Sequence, residues 1–302
     1  MEYAIETNGL TKHFKKTVAL DGATLRVPKG AIYGLVGRNG AGKTTLIRVL
    51  CGLQRPSAGD YQLFGVPYTD KKVSAARRRT GALIERPAYY PEMTVLENLK
   101  QQCRILGMPS FAHLDEIIEA VGLSEYVKKR PSKLSLGYRQ RLGIALALAG
   151  KPDLLLLDEP INSIDPQGIV EIRELLLRLN REHGVTMLIS SHILDELSRL
   201  ATDYGFLEKG KIIREMTARE FEANARKSMR VTVSDPAALA VALDEKGIEY
   251  KVLPENAVDI FAEIPVGELA ALLRAGGCEL MSVTERDETL ESFFLNLTGA
   301  AK

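Results

Sequence analysis

Residues 35–45 read LVGRNGAGKTT, and no other stretch restricts the fold as tightly. It follows the apolar run IYGLV and leads into TTLIRVLCGL, so the order strand, glycine-rich turn, helix is expected, with the helix starting near Thr44. Gly37, Gly42, Lys43 and Thr44 fit the spacing G-x-x-x-x-G-K-[ST]. The chemistry needs this order. Across Gly37, Arg38, Asn39, Gly40, Ala41 and Gly42, the glycines let backbone N–H groups turn inward as an anion nest. The helix N-terminus at Thr44 and Thr45 adds its dipole to the same anion. Lys43 places a point charge at the β- and γ-phosphates, and Thr44 offers a hydroxyl to Mg²⁺. An unliganded glycine turn is the plain alternative, and the strand and helix on either side argue against it.

A second stretch, DLLLLDEP at 153–160, supplies acid. Four leucines form a buried strand whose end presents Asp158, placed to hold the Mg²⁺ shell. Glu159 beside it suits proton removal from an attacking water. Alone, such a pair is as often a strand end meeting solvent.

Around these stretches, residues 3–36 alternate in short strand-like runs, and GDYQLFG returns to strand. From about 94 to 150 the apolar spacing is helical, in TVLENLKQQCRIL, FAHLDEIIEAVGL and LGYRQRLGIALALAG. The helix GIVEIRELLLRLNREHG, the strand VTMLISS and the helix ILDELSRLA follow. Near-continuous apolar strands alternating with helices imply a parallel sheet covered on both faces, an α/β fold. After 228 the order is strand (Arg230–Ser234), helix (Pro236–Lys246), strands (Ile248–Leu253 and Val258–Ile264), helix (Val266–Arg274), strand (Glu279–Thr284) and helix (Thr289–Leu297). That βαββαβ order predicts a small ferredoxin-like α+β module.

The boundary has a charge signature. Residues 1–219 carry 32 basic and 24 acidic side chains, whereas 220–302 carry 8 and 15. We expect domains at 1–219 and 220–302, with the polar helical stretch TAREFEANARKS across the junction. Two solvated surfaces of different charge explain the asymmetry as well as an interaction tail does. The net charge of +1 supports no nucleic-acid partner. Cys51, Cys103 and Cys278 are far apart and form no metal spacing, which points to a reduced interior. No signal segment opens the chain, and no apolar run approaches a membrane span, so the chain is not expected to cross a membrane by itself.

KLSLGYRQR at 133–141 places Ser135 and Gly137 before a helix, a second set of N-terminal amides for an anion. Lying between the phosphate loop and the acidic strand, it resembles the signature sequence of ABC ATPases. The resemblance covers residues 1 to about 215. It implies a P-loop NTPase fold of the ABC type, with a mixed core sheet, an antiparallel β subdomain and a helical signature subdomain at about 86–150. It also implies ATP and Mg²⁺ as the bound species. Asp165 in SIDP then looks like the D-loop, and His192 in SSHILDE like the switch histidine that contacts the γ-phosphate. Phe14 sits where the family stacks a ring on adenine. The expected catalytic set is Glu159, His192 and Glu85, and the metal set is Thr44, Glu85 and Asp158. Ser135 and Gly137 are expected to close over ATP held by a second subunit.

The sequence departs from the commonest pattern at four places. Leu136 and Tyr138 stand for glycine and glutamine, and Ile161 for threonine. Glu85, in LIERPAYYPEMTV, stands for the usual Q-loop glutamine. IERPAYYPEMTVLENL, LSLGYRQRLGIALAL and the ending ETLESFFLNLTG resemble ATP-binding subunits of bacitracin-resistance and lantibiotic-immunity exporters, where this position is often glutamate. That implies a separate membrane permease, a second ATPase subunit expected to be an identical copy, and peripheral attachment at the cytoplasmic face of the cell membrane. The alternatives are an exporter of another small molecule or ion, and a soluble ABC ATPase acting on ribosomes or DNA. The single phosphate loop, and only about ninety residues from Lys43 to Ser135, disfavour the soluble types.

Overall fold

The computed structural model describes residues 2–162, 164–225, 227–262, 264–275 and 278–299. The chain divides into two compact units, Met1–Arg219 and Glu220–Lys302.

Among the described residues the first unit holds two sheets. One is antiparallel and lies in the order Thr17–Ala23, Tyr3–Phe14, Ala58–Leu63, Val66–Pro67, with Arg26–Pro28 also paired to Tyr3–Phe14. The other lies in the order Lys211–Thr217, Asp203–Glu208, Ile32–Val36, Thr186–Ser191, Leu154–Asp158, Thr80–Leu83. Its pairs are parallel except the first, which closes the edge antiparallel. The central strands are buried along their whole length, as parallel strands covered on both faces must be. The strands Asp203–Glu208 and Lys211–Thr217, the second of them at the sheet edge, escaped the sequence reading. Of Lys211–Thr217 only Met216 is buried, so it lacks the apolar run that marks its neighbours.

One helix ties the sheets together. Lys43–Leu50 begins one residue before the expected Thr44. Its Leu46, Ile47, Val49 and Leu50 share a core with Leu10, Leu20 and Leu63 of the antiparallel sheet and with Leu35, Leu154 and Leu188 of the parallel one. The helix that carries the phosphate loop is therefore clamped on two sides.

The helical region is built as its spacing predicts, from Val95–Leu106, Leu114–Ala120 and Leu136–Leu148. Thr94 and Glu97 close a capping box at the start of the first, and Gly107 ends it in the left-handed region. In its first turn, buried Asn98 accepts from the Tyr90 amide at 2.7 Å and donates to the carbonyls of Tyr90, Met93 and Thr94. One amide side chain thus shapes the proline-bracketed loop after Glu85.

The second unit forms one antiparallel sheet in the order Tyr250–Val252, Ala257–Ile260, Lys227–Val233, Leu280–Asp287. With helices Pro236–Glu245 and Val266–Ala275 this is the split βαβ arrangement. The strand expected over Val258–Ile264 stops at Ile260, with Glu263 outside the described residues. Asp235 caps the first helix, accepting from the Ala237 and Ala238 amides, with Pro236 at the first helical position. The unit has its own core of Val231, Val233, Leu243, Val258, Ile260 and Leu269, among others. Leu243 is fully buried there. We therefore expect Leu243→Ala to lower the stability of this unit by about 2–5 kcal/mol. Differential scanning calorimetry of the whole chain should show one shifted transition, with the transition of Met1–Arg219 unmoved.

Candidate functional site

The site grows from the C-terminal ends of the parallel strands. Ile32–Val36 runs into the phosphate loop, and the loop's glycines are required by space as well as by conformation. A Cβ on Gly42, whose φ is 114°, would lie 2.4 Å from the Ala19 carbonyl oxygen, and one on Gly37 would lie 2.6 Å from that of Leu207. Lys43 is almost wholly buried. Its Nζ donates to the Gly37 carbonyl at 2.6 Å and stands 3.8 Å from Glu159 Oε1. Burial holds its pKa below the usual lysine value, against the pull of Glu159 and Asp158.

Thr44 Oγ1 donates to Asp158 Oδ2 at 2.7 Å. Asp158 is the last residue of its strand, buried, and its other oxygen accepts from Ser190 Oγ at 2.5 Å. Glu159 follows with φ 53°, a left-handed conformation that costs a non-glycine residue of order 1–3 kcal/mol. Several bonds hold it there. Its amide donates to the carbonyl and to the hydroxyl of Ser190, at 3.1 and 3.2 Å. Its carbonyl accepts from the Asn162 amide, and from Gln140 Nε2 at 3.4 Å. Its carboxylate meets His192 twice, at Nδ1 (2.7 Å) and at the backbone amide (3.2 Å).

Five of the expected residues therefore come together: Lys43, Thr44, Asp158, Glu159 and His192. The arrangement offers amides and an ammonium to phosphate, hard oxygens to a divalent cation, and a partly open carboxylate backed by imidazole to a water. Hydroxyl and carboxylate oxygens are the donor set Mg²⁺ prefers.

The phosphate-loop residues 37–42 and Thr45 adjoin that cluster, Gly37 through its carbonyl on Lys43, whereas Ser135, Gly137, Asp165, Phe14 and Glu85 are held by other contacts. Ser135 is the N-cap of Leu136–Leu148, accepting from the Tyr138 amide, and nothing comes nearer than 3.9 Å to where a Gly137 Cβ would stand. Asp165 caps Pro166–His183 with extended backbone and no side-chain cap bond; Ser163, which opens the same motif, is outside the described residues. Phe14 ends its strand 42% exposed, with Lys12 Nζ 5.2 Å from its ring. Glu85 also has positive φ, at 56°, and its carboxylate pairs with Arg48 Nη2 at 3.0 Å while half exposed.

Sequence reasoning missed Arg48, Gln140 and Ser190. Arg48 and Gln140 lie on helices whose functional residues drew attention elsewhere. Ser190 becomes visible only through strand register, which sets it directly opposite Asp158. Tyr138, one of the departures, has a structural reason: its ring rests on Tyr126 with centroids 4.1 Å apart.

A sequence profile described as "ABC transporter" matches residues 20–162. The chain is similar to the bacitracin transport ATP-binding protein BcrA of Bacillus licheniformis, 36% identical over 302 residues, covering 99% of this chain and 98% of the relative. The protein of the same name from Enterococcus faecalis is 38% identical over 304 residues, covering 99% and 97%. The lantibiotic transport ATP-binding protein SrtF of Streptococcus pyogenes is 38% identical over 211 residues, covering 70% and 90%. Among solved structures, a dimeric bacterial ABC transporter cassette superposes with a TM-score of 0.67 at 25% identity, covering 71% of this chain and 99% of that one.

The geometry makes Lys43 testable apart from stability. Lys43→Met removes a buried charge that folding disfavours, so the melting temperature should hold or rise. Nucleotide affinity should fall about 10- to 100-fold, the equivalent of one charge-assisted hydrogen bond. A fluorescent-nucleotide titration beside a thermal melt checks both.

Proposed function

Because this chain belongs to the ABC transporter family, as an ATP-binding subunit that hydrolyses ATP, we propose that it drives export of antimicrobial peptides of the bacitracin or lantibiotic type. On this proposal the path for the peptide belongs to a separate permease, which the likeness to ATP-binding proteins of transport systems supports; among the described residues no helix is long and apolar enough to cross a membrane. In this reading the subunit docks on that permease at the cytoplasmic face of the cell membrane and works as a pair of identical copies. One observation carries the substrate class. The likeness to bacitracin transport ATP-binding proteins runs over 99% of the chain, through the second unit as well as the cassette.

The roles of individual residues form part of the same proposal. Amides of residues 37–45 and Lys43 hold the phosphates, and Phe14 stacks on adenine. Thr44 and Asp158 hold Mg²⁺, which when bound draws charge from the β- and γ-phosphate oxygens. Glu159 takes the proton of the attacking water, and His192, on the same carboxylate, orients it and reaches the γ-phosphate. Ser135 and Gly137 face the nucleotide of the other copy, with Asp165 at the same junction. Glu85 supplies an oxygen to metal and water, which requires its carboxylate to leave Arg48.

Supporting this assignment is the short, directed bond between Glu159 and His192 at the end of a buried strand. Glu159→Gln should bind ATP normally, since the amide keeps the shape and loses the proton affinity. Turnover should fall about 10²–10⁴-fold, with an ATP-bound dimer accumulating on size-exclusion chromatography. Near-normal turnover removes Glu159 from the chemistry. A strict proportionality between hydrolysis rate and protein concentration across the dimerisation range removes the shared site.

The substrate class has its own experiment. Cells lacking this protein should become more susceptible to bacitracin or to lantibiotics, and Glu159→Gln should fail to restore resistance. Unchanged susceptibility to every peptide in a panel of cyclic and cationic antimicrobials points instead to another exported compound.

A further inference from the structure

Ser190 has no part in the roles assigned above, yet it touches both acidic residues of the site. It is fully buried and stands opposite Asp158 in the parallel register of Leu154–Asp158 with Thr186–Ser191. Its Oγ lies 2.5 Å from Asp158 Oδ1 and 3.2 Å from the Glu159 amide nitrogen. The direction of both bonds follows from the groups themselves. A carboxylate accepts and an amide N–H donates, so the serine gives its one hydroxyl hydrogen to Asp158 and takes the Glu159 N–H on a lone pair.

Each bond settles a different degree of freedom. Asp158 is held at two points: Thr44 Oγ1 donates to Oδ2 and Ser190 Oγ to Oδ1, so the plane of the carboxylate is determined from both sides. With Oδ1 occupied from behind, Oδ2 is the oxygen left facing the phosphate-loop helix. The Glu159 amide belongs to a residue with positive φ, and such a conformation persists only where its surroundings over-determine it. Ser190 contributes two of those restraints, through its carbonyl and through its hydroxyl. One hydroxyl thus joins the orientation of the metal-holding acid to the backbone that aims the base.

We infer that Ser190 is a positioning residue for ATP hydrolysis, its hydroxyl aligning Asp158 for the divalent cation and Glu159 for the water. This rests on the reading of Asp158 and Glu159 given above. Ser190 acts through them and touches neither nucleotide nor metal.

The test uses a pair of variants of equal volume, Ser190→Thr and Ser190→Val, in the full-length chain. Any strain from the added bulk is common to both, and they differ in the hydroxyl. The probe is Mn²⁺, titrated by electron paramagnetic resonance in the presence of ATP, alongside steady-state turnover and a thermal melt. Ser190→Thr should stay within about threefold of the parent in Mn²⁺ half-saturation, while Ser190→Val should need about 10- to 100-fold more Mn²⁺, the usual cost of removing a partner behind a metal ligand. Turnover at saturating metal should also fall in Ser190→Val, because the Glu159 backbone loses a restraint that extra metal cannot replace. Identical Mn²⁺ curves and turnover for the two variants overturn the proposal. Should both prove too bulky to fold, Ser190→Ala takes their place, and a parental Mn²⁺ curve for it overturns the proposal equally. Asp158→Asn separates the two levels. If it weakens Mn²⁺ binding and Ser190→Val does not, Ser190 alone has been misassigned. If Asp158→Asn leaves the Mn²⁺ curve unchanged, the reading of the metal site has failed and the role of Ser190 falls with it.

Discussion

Parallel pairing of four strands is the constraint on which the rest of this site depends. In a parallel sheet all C-terminal ends lie on one edge, and loops leaving that edge converge. Here Val36 pairs with Ser191, Asp158 with Ser190, and Leu83 with Leu157. The phosphate loop, the acidic pair, His192 and Glu85 all leave that edge within a few residues of those pairs. A slip of one residue between Leu154–Asp158 and Thr186–Ser191 would turn Ser190 away and set Ile189 or Ser191 opposite Asp158 in its place. The leucine run therefore matters to the chemistry because it makes register unambiguous, with both faces of the strand in apolar cores.

That edge concentrates charge in a place poor in water. Asp158 and Lys43 are buried, and a buried ion is tolerable only with partners. Asp158 has two hydroxyl donors, and Lys43 has the Gly37 carbonyl together with the more distant Glu159. Burial still lowers the lysine pKa, so the acids do not fully compensate its desolvation. The negative charge of a nucleotide triphosphate at the loop would act on Lys43 in the same direction as the two acids, favouring its charged form. Strain follows the same map: Glu85 and Glu159, each one or two residues past a strand end, both adopt left-handed backbone.

Legibility in the sequence varied with the range of the interactions involved. The phosphate loop was readable because its pattern is written in local spacing, and at Gly37 and Gly42 a Cβ would meet backbone carbonyl oxygens. The alternation of buried strands with helices, and the βαββαβ order after 228, were readable because period and length carry them. Partnerships across the fold were not. Nothing in LIER announces that Glu85 will meet Arg48 from the phosphate-loop helix, nor does ISSH reveal which of its two serines faces Asp158. Such pairings need the register of distant strands and the rotation of a helix. The outer strand Lys211–Thr217 was missed for a related reason: at the sheet edge it is mostly exposed and shows no continuous apolar run.

The departures in the signature segment show how a substitution is accommodated without losing its frame. Tyr138 is too large to occupy a glutamine's place unchanged, and its ring leans on Tyr126 while Arg141 approaches its face at 5.7 Å. Arg141 in turn is buried and donates to the Val121 carbonyl and to Glu171, so the ring rests on a side chain that is itself held. The Ser135 cap is unaffected, because it needs only the backbone amide of Tyr138. Leu136, by contrast, stands 54% exposed beside that cap. An apolar side chain at the mouth of a helix N-terminus gains from being covered. In the proposed pairing of copies, with Ser135 and Gly137 facing the other copy's nucleotide, Leu136 would stand at the same junction. Closure would then draw on hydrophobic burial at a position where the commoner glycine offers backbone alone.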